Sequence, residues 1–134
     1  MFDVLDMGAS GLTAQRTRLD VIAQNIANAD TTHDAEGRAI PYRRKFATLM
    51  SDRTEGGAPG VRVKDIETDY KGPLVPKFEP GSKDADKDGF VWYPNVDMAV
   101  EFTNAIEASR AYEANVNMME VSKAMINASL RLIA

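Results

Sequence analysis

The sequence predicts a mainly α-helical protein with a small β insert. Two long terminal helices, coiled-coil-like and assembling with other subunits, are expected to flank a loop-rich β-hairpin region. The prediction depends on apolar residues that recur every seven positions at both ends of the chain, and on prolines and glycines concentrated between residues 29 and 97. We therefore expect an N-terminal assembly helix in residues 1–30, a loop- and β-rich insert in residues 31–97, and a C-terminal assembly helix in residues 98–134.

The N-terminal helix is predicted from Asp3 to about Asn28. This segment has no proline, and it is followed by "NADTT", whose side chains compete with a helix for backbone hydrogen bonds. The heptad positions are Leu5, Leu12, Leu19 and Ile26, with Phe2, Ala9, Arg16 and Ala23 in the adjoining column. At 1.5 Å per residue the helix is about 39 Å long.

The C-terminal helix is predicted from residue 98 to residue 134. Asn95 or Asp97 is a suitable N-cap, and Glu101 in the first turn suits the positive end of the helix dipole. The heptad positions are Met98, Ala105, Tyr112, Met119, Ile126 and Ile133, alternating with Phe102, Ser109, Val116, Lys123 and Leu130. At about 55 Å this helix is longer than the first.

Three stretches of the insert are strand candidates: residues 61–63, 73–78 and 90–93. Residues 51–60, "SDRTEGGAPG", are interpreted as a flexible connector. The basic run from Arg43 to Lys45 is interpreted as a solvated surface or a contact for an acidic partner. Together these patterns predict two or three hairpin strands.

The stretch "DADKDGF", from Asp84 to Phe90, is similar to the start of an EF-hand calcium loop. Such a loop closes with a bidentate Glu at position 12, where this chain has Asn95. It also needs a helix on each side, but Pro80 and Pro94 favour extended chain. We therefore interpret the stretch as a hairpin turn ending in Asp-Gly and predict no metal site, leaving weak calcium binding open.

Composition excludes several classes of function. The chain has 20 acidic and 16 basic residues and a pI of about 5.0, so no nucleic-acid partner is expected. It has no cysteine, a single histidine (His33, in a polar loop) and no P-loop, Gly-x-Ser-x-Gly or HExxH motif. We therefore expect neither an enzyme nor a cofactor. No apolar run is long enough for a secretory signal or a membrane span.

The two helices predict self-assembly. If they pair antiparallel, about 16 Å of the longer one has no partner within the chain. Val21, Ile22, Ile106 and Met125 also lie off the main stripes, which makes the apolar surface wider than a two-stranded pair covers. The expected assembly interface comprises Leu5, Leu12, Leu19, Asn25, Ile26, Asn28, Phe102, Tyr112, Val116, Met119, Ile126, Leu130 and Ile133. Heptads alone also permit a cytoplasmic helical adaptor or export chaperone.

One stretch carries a family resemblance. "SGLTAQRTRLDVIAQNIANADTT", from Ser10 to Thr32, resembles the N-terminal signature of the axial proteins of the bacterial flagellum, which form its rod and hook. Ala23, Asn25, Ile26, Ala27, Asn28 and Thr31 are in register with that signature. Gln24 stands where the signature has an Asn, and this departure is expected to weaken one specific amide contact. Residues 42–46, 80–97 and 108–125 resemble a proximal-rod subunit of the same family.

The resemblance implies a structural subunit of the proximal rod of the flagellar basal body. It implies export by the flagellar type III apparatus without a cleaved signal, and helical polymerisation through the terminal helices into the drive shaft for motility. The implied partners are other copies of the chain, other flagellar rod proteins and the export apparatus. In such proteins the terminal helices form the inner layers of the tube and are typically disordered before assembly.

Overall fold

The computed structural model describes residues 2–134, so Met1 of the predicted N-terminal segment lies outside the described residues. The elements are α1 (Asp3–Ala27), β1 (Lys45–Arg53), β2 (Pro59–Thr68), β3 (Val75–Phe78), β4 (Phe90–Tyr93) and α2 (Met98–Ile133). The predicted fold class is confirmed: two long helices flank a small β region. Of the two predicted caps of α2, the structure selects Asp97, whose carboxylate accepts from the Ala99 N–H at 2.9 Å.

The two helices pair antiparallel. Asn25 near the end of α1 contacts Glu101 near the start of α2, and Arg18 Nη2 lies 3.5 Å from Glu107 Oε2. Towards the other end Gly8 faces Met119, where an added Cβ would lie 2.6 Å from the Met119 Cγ. The glycine therefore permits a close approach of the two helices at this point.

The longer helix extends past the shorter one, as the heptad lengths predict. Val4, in the first turn of α1, lines a cavity with α2 residues as far as Ser129. Beyond this point Leu132 and Ile133 are 89% and 80% exposed. The last turn of α2 therefore has no partner in α1.

The hairpin of β1 and β2 packs along α1, with the Ser10 hydroxyl accepting from the Val61 N–H at 3.1 Å. The prediction of a flexible connector at residues 51–60 is wrong: β1 continues to Arg53, β2 starts at Pro59, and Thr54 to Ala58 form the turn. No strand is predicted from the sequence at β1. The alternation of side chains between the two faces of this strand is interrupted by a bulge at Thr48/Leu49, which weakens the strand pattern in the sequence.

The hairpin also changes the expectation for the residues off the main stripes. Val21 and Ile22 are only 3% and 6% exposed, because α1 packs against both α2 and the hairpin. The prediction that these two residues need cover from outside the chain is therefore wrong. Ile106 and Met125 are more than half exposed, as expected.

The second hairpin joins β3 and β4 as predicted, with Val75 paired to Tyr93 and Phe78 paired to Phe90. Val91 is its buried residue, 1% exposed. Gly89 has a φ of 84°, which the turn requires and which glycine adopts without strain. No helix within residues 2–134 is long and apolar enough to cross a membrane.

Candidate assembly interface

A buried polar cluster joins the two helices to the first hairpin. At its centre is Asn25, whose Nδ2 donates to the Lys45 carbonyl at 2.7 Å and to Glu101 Oε2 at 3.2 Å. Its Oδ1 accepts from the Tyr42 hydroxyl at 2.8 Å and from the Lys45 N–H at 2.9 Å. All four hydrogen-bonding positions of the amide are thus filled, as a residue that is 1% exposed requires.

Glu101 supplies a charge to this cluster. It is 0% exposed, and its Oε1 accepts from Arg44 Nε at 2.6 Å. Burial and the negative charge of Glu101 raise the pKa of Tyr42, so the phenol stays protonated and donates to Asn25. A buried carboxylate needs such partners because an unpaired charge in the interior is costly. We call Asn25, Tyr42, Arg44 and Glu101 the polar cluster.

The basic run beside β1 is therefore not a solvated surface. Arg44 pairs with Glu101 inside the chain, and Arg43 donates to the carbonyls of Asp69, Tyr70 and Gly72. Asn95, the other predicted cap of α2, instead accepts from the Arg44 N–H at 2.8 Å. Sequence reasoning missed these roles because each partner lies more than 20 residues away.

The rest of the signature ends α1 and fixes the chain that follows. Asn28 Nδ2 donates to the Gln24 carbonyl at 2.9 Å, and Asn28 Oδ1 accepts from the Thr31 hydroxyl at 3.1 Å. The next residue, Thr32, donates through its hydroxyl to Asp84 Oδ2 at 2.7 Å. The signature thus connects the helix end to the turn of the second hairpin.

Two of the three aspartates of "DADKDGF" accept hydrogen bonds within the chain. Asp84 accepts from Thr32 and contacts His33, while Asp86 Oδ1 accepts from the N–H groups of Asp88 and Phe90. Within residues 2–134 no three His, Asp or Glu side chains come together in a way that could hold a metal ion. The stretch forms the predicted turn between β3 and β4.

These contacts predict a pH dependence. The Thr32 hydroxyl holds the pKa of Asp84 below its ordinary value of 3.8, and the Phe90 N–H does the same for the pKa of Asp86. Stabilisation by a carboxyl with a lowered folded-state pKa is present above the unfolded value and is lost as pH falls through the folded value. We expect Asp84→Asn to destabilise the protein at about pH 5 but much less at about pH 2. Urea unfolding at both values measures this difference, and an equal loss at both would contradict it.

The predicted assembly residues divide into three groups in the single chain. Asn25 is buried in the polar cluster. Leu5, Leu12, Leu19, Ile26, Asn28, Val116, Met119 and Ile126 are partly exposed, whereas Phe102, Tyr112, Leu130 and Ile133 are exposed. The single chain thus leaves apolar area uncovered along both helices.

The heptad stripe of α2 does not stay on one side of the helix. An α-helix has 3.6 residues per turn, so a seven-residue repeat shifts by about 20° per heptad. Phe102, one residue after Glu101, lies about 100° around the helix from it. Met119 and Ile126 lie on the side that meets α1, and Tyr112, one heptad before Met119, is within about 20° of that side. The α1-facing positions at the start of α2 are Glu101 and Ala108, which are fully buried.

Comparison with known proteins agrees with this arrangement of elements. Residues 5–32 match the family model "Flagella basal body rod protein", and residues 87–132 match "Flagellar basal body rod FlgEFG protein C-terminal". The two matches cover most of α1 and nearly all of α2. They define the class of the protein: an axial protein of the flagellar basal body.

Individual relatives narrow the class. The chain is 39% identical to a flagellar basal-body rod protein FlgC of Borreliella burgdorferi, with 99% of this chain and 97% of that protein covered. FlgC proteins of Escherichia coli and Bacillus subtilis are 40% and 37% identical, each with 98% of this chain and 97% of the relative covered. The chain belongs to the flagellar basal-body rod protein FlgC family.

Proposed function

We propose that the chain is a structural subunit of the flagellar basal-body rod and polymerises through the outward apolar faces of α1 and α2. One observation carries the proposal: Phe102, Tyr112, Leu130 and Ile133 are exposed on α2 although they belong to its heptad pattern. Several large apolar side chains left exposed along one helix are typical of a protein interface. Membership of the FlgC family supports an interface with other subunits of the rod.

The two ends and the middle of the chain have different tasks. Residues 1–30 and 98–134 assemble, and residues 31–97 form an insert whose position on the helices is set by the polar cluster. The partners are other copies of the chain and other rod proteins. The subunit reaches the rod through the flagellar type III export apparatus and catalyses no reaction.

A helical adaptor or export chaperone of the cytoplasm is the competing function. Family membership disfavours this function, because the relatives are named as basal-body rod proteins and the similarity to them extends over nearly their whole length. An adaptor is expected to be a stable soluble dimer, whereas a rod subunit is expected in the assembled basal body.

Mass spectrometry of purified basal bodies distinguishes the two functions. We expect peptides of this chain to remain after detergent extraction and an acid wash, in amounts comparable to other rod proteins. Absence from basal bodies that are otherwise complete, together with a soluble dimer in the cytoplasm, would favour the adaptor.

A further inference from the structure

The second hairpin presents an exposed aromatic surface. Pro76 pairs with Trp92 and Phe78 pairs with Phe90, so these four side chains share one face of the hairpin. Val91, on the other face, is buried. We call Pro76, Phe78, Phe90 and Trp92 the aromatic face; Phe78 and Trp92 are 65% and 42% exposed.

The aromatic face is held rigid by its own contacts. The rings of Phe78 and Phe90 meet edge to face with centroids 5.4 Å apart. The Trp92 indole N–H donates to Asp86 Oδ2 at 3.1 Å, and Asp86 also accepts the turn N–H groups. Rigid aromatic side chains lose little entropy on binding, which is why they dominate many interfaces.

The rings of the aromatic face differ from other aromatic rings of the insert, because no Arg or Lys side chain of the described residues is stacked over them. Elsewhere in the insert a cation lies over each of four rings: Arg43 over Tyr70, Arg44 over Phe46, Lys45 over Tyr42 and Lys77 over Tyr93. In the part of the chain that the structure describes, none lies over Phe78, Phe90 or Trp92, and Asp86 forms no ion pair. The donors to Asp86 are neutral N–H groups, so its charge is not compensated.

We propose that the aromatic face docks a different protein, which places an arginine side chain over these rings and beside Asp86. A guanidinium group is planar and weakly hydrated, so it stacks on an aromatic ring while its N–H groups meet a carboxylate. Lysine matches the charge but lacks this flat, forked shape. The apolar rings supply contact area, and Asp86 supplies the complementary charge.

A second copy of this chain is a poorer match for the face. Arg18, Arg38, Arg44 and Arg62 form ion pairs within the chain, and Arg43 and Arg53 donate to backbone carbonyls. The other arginines, Arg16, Arg110 and Arg131, lie on α1 and α2. The exclusion of a second copy rests on the proposed function, in which α1 and α2 form the assembly interface.

Site-specific photo-crosslinking in flagellated cells tests the proposal. Phe78 is replaced by p-benzoylphenylalanine, basal bodies are purified after irradiation, and the crosslinked peptides are sequenced. We expect a crosslink to an arginine-bearing segment of another protein. The same residue placed at Ile40, which is 52% exposed in a loop, is expected not to capture that segment.

Charge removal tests the role of Asp86 separately. Asp86→Asn keeps an oxygen for the turn N–H groups but removes the negative charge and the acceptor of the Trp92 indole N–H. We expect it to lower the Phe78 crosslink yield roughly threefold or more. Asp88→Asn is the matched control and is expected to leave the yield unchanged. Equal yields in the two variants would overturn the role of Asp86.

The outcomes separate this proposal from the proposed function. A crosslink only to a second copy, to a segment without arginine, or to nothing in basal bodies that contain the chain would overturn the docking proposal. The rod assignment would stand in each of these cases, because the chain would still be present. Absence of the Asp86→Asn variant from basal bodies would overturn the docking role of Asp86 in favour of a role in folding or export.

Discussion

Glu101→Ala is expected to lower the free energy of unfolding by about 3–5 kcal/mol, the range for removing one partner of a buried ion pair. The carboxylate is fully buried, and its loss leaves Arg44 without its charge partner and one Asn25 N–H without an acceptor. Chemical denaturation of the purified chain measures the change. The physical reason is the cost of leaving polar groups unpaired in the interior, which exceeds the net gain from making the pair.

Glu107→Ala is the matched control for this experiment. Glu107 lies on the same helix and pairs with Arg18, but its side chain is 67% exposed. Exposed ion pairs contribute about 0–1 kcal/mol, so the control is expected to be close to wild type. If Glu101→Ala and Glu107→Ala had similar effects, the polar cluster would not hold the two helices and the hairpin together.

The helices were predictable from the sequence because their signal is local. A seven-residue repeat, the absence of proline and a capping aspartate all lie within the segment that they describe. The strand β1 was not predictable in the same way. Its bulge breaks the alternation, and its stability depends on pairing with β2 and packing along α1.

The candidate site was predictable only in part for a related reason. Large apolar residues on α1 and α2 indicate an interface, but the sequence does not show which of them the chain itself covers. Val21 and Ile22 are covered by the chain, whereas Phe102 is not. The role of Asn25 in joining the helices to the hairpin was also not predictable from the sequence, because its partners Tyr42, Lys45 and Glu101 come together only in the folded chain.

Among the exposed residues of α2, Phe102 gives the sharpest test of assembly. It is 52% exposed in the single chain and lies about 100° around α2 from the α1-facing Glu101, so Phe102→Asp leaves the contacts between the helices intact. In an assembled interface the same change buries an unpaired carboxylate, which costs several kcal/mol at every subunit contact. We expect a variant with nearly wild-type thermal stability that is absent from basal bodies and does not support motility.

Ile40→Asp is the control for this change, since Ile40 has the same exposed fraction but lies in the loop before β1. It is expected to assemble and to support motility. Both changes put the same charge in place of an equally exposed apolar side chain. A difference in assembly between the two variants therefore reports where the two residues lie. A motile Phe102→Asp strain with normal protein levels would show that this face of α2 stays in contact with solvent in the rod. The assembly contacts would then lie on the far end of α2, where Leu130, Leu132 and Ile133 extend past α1.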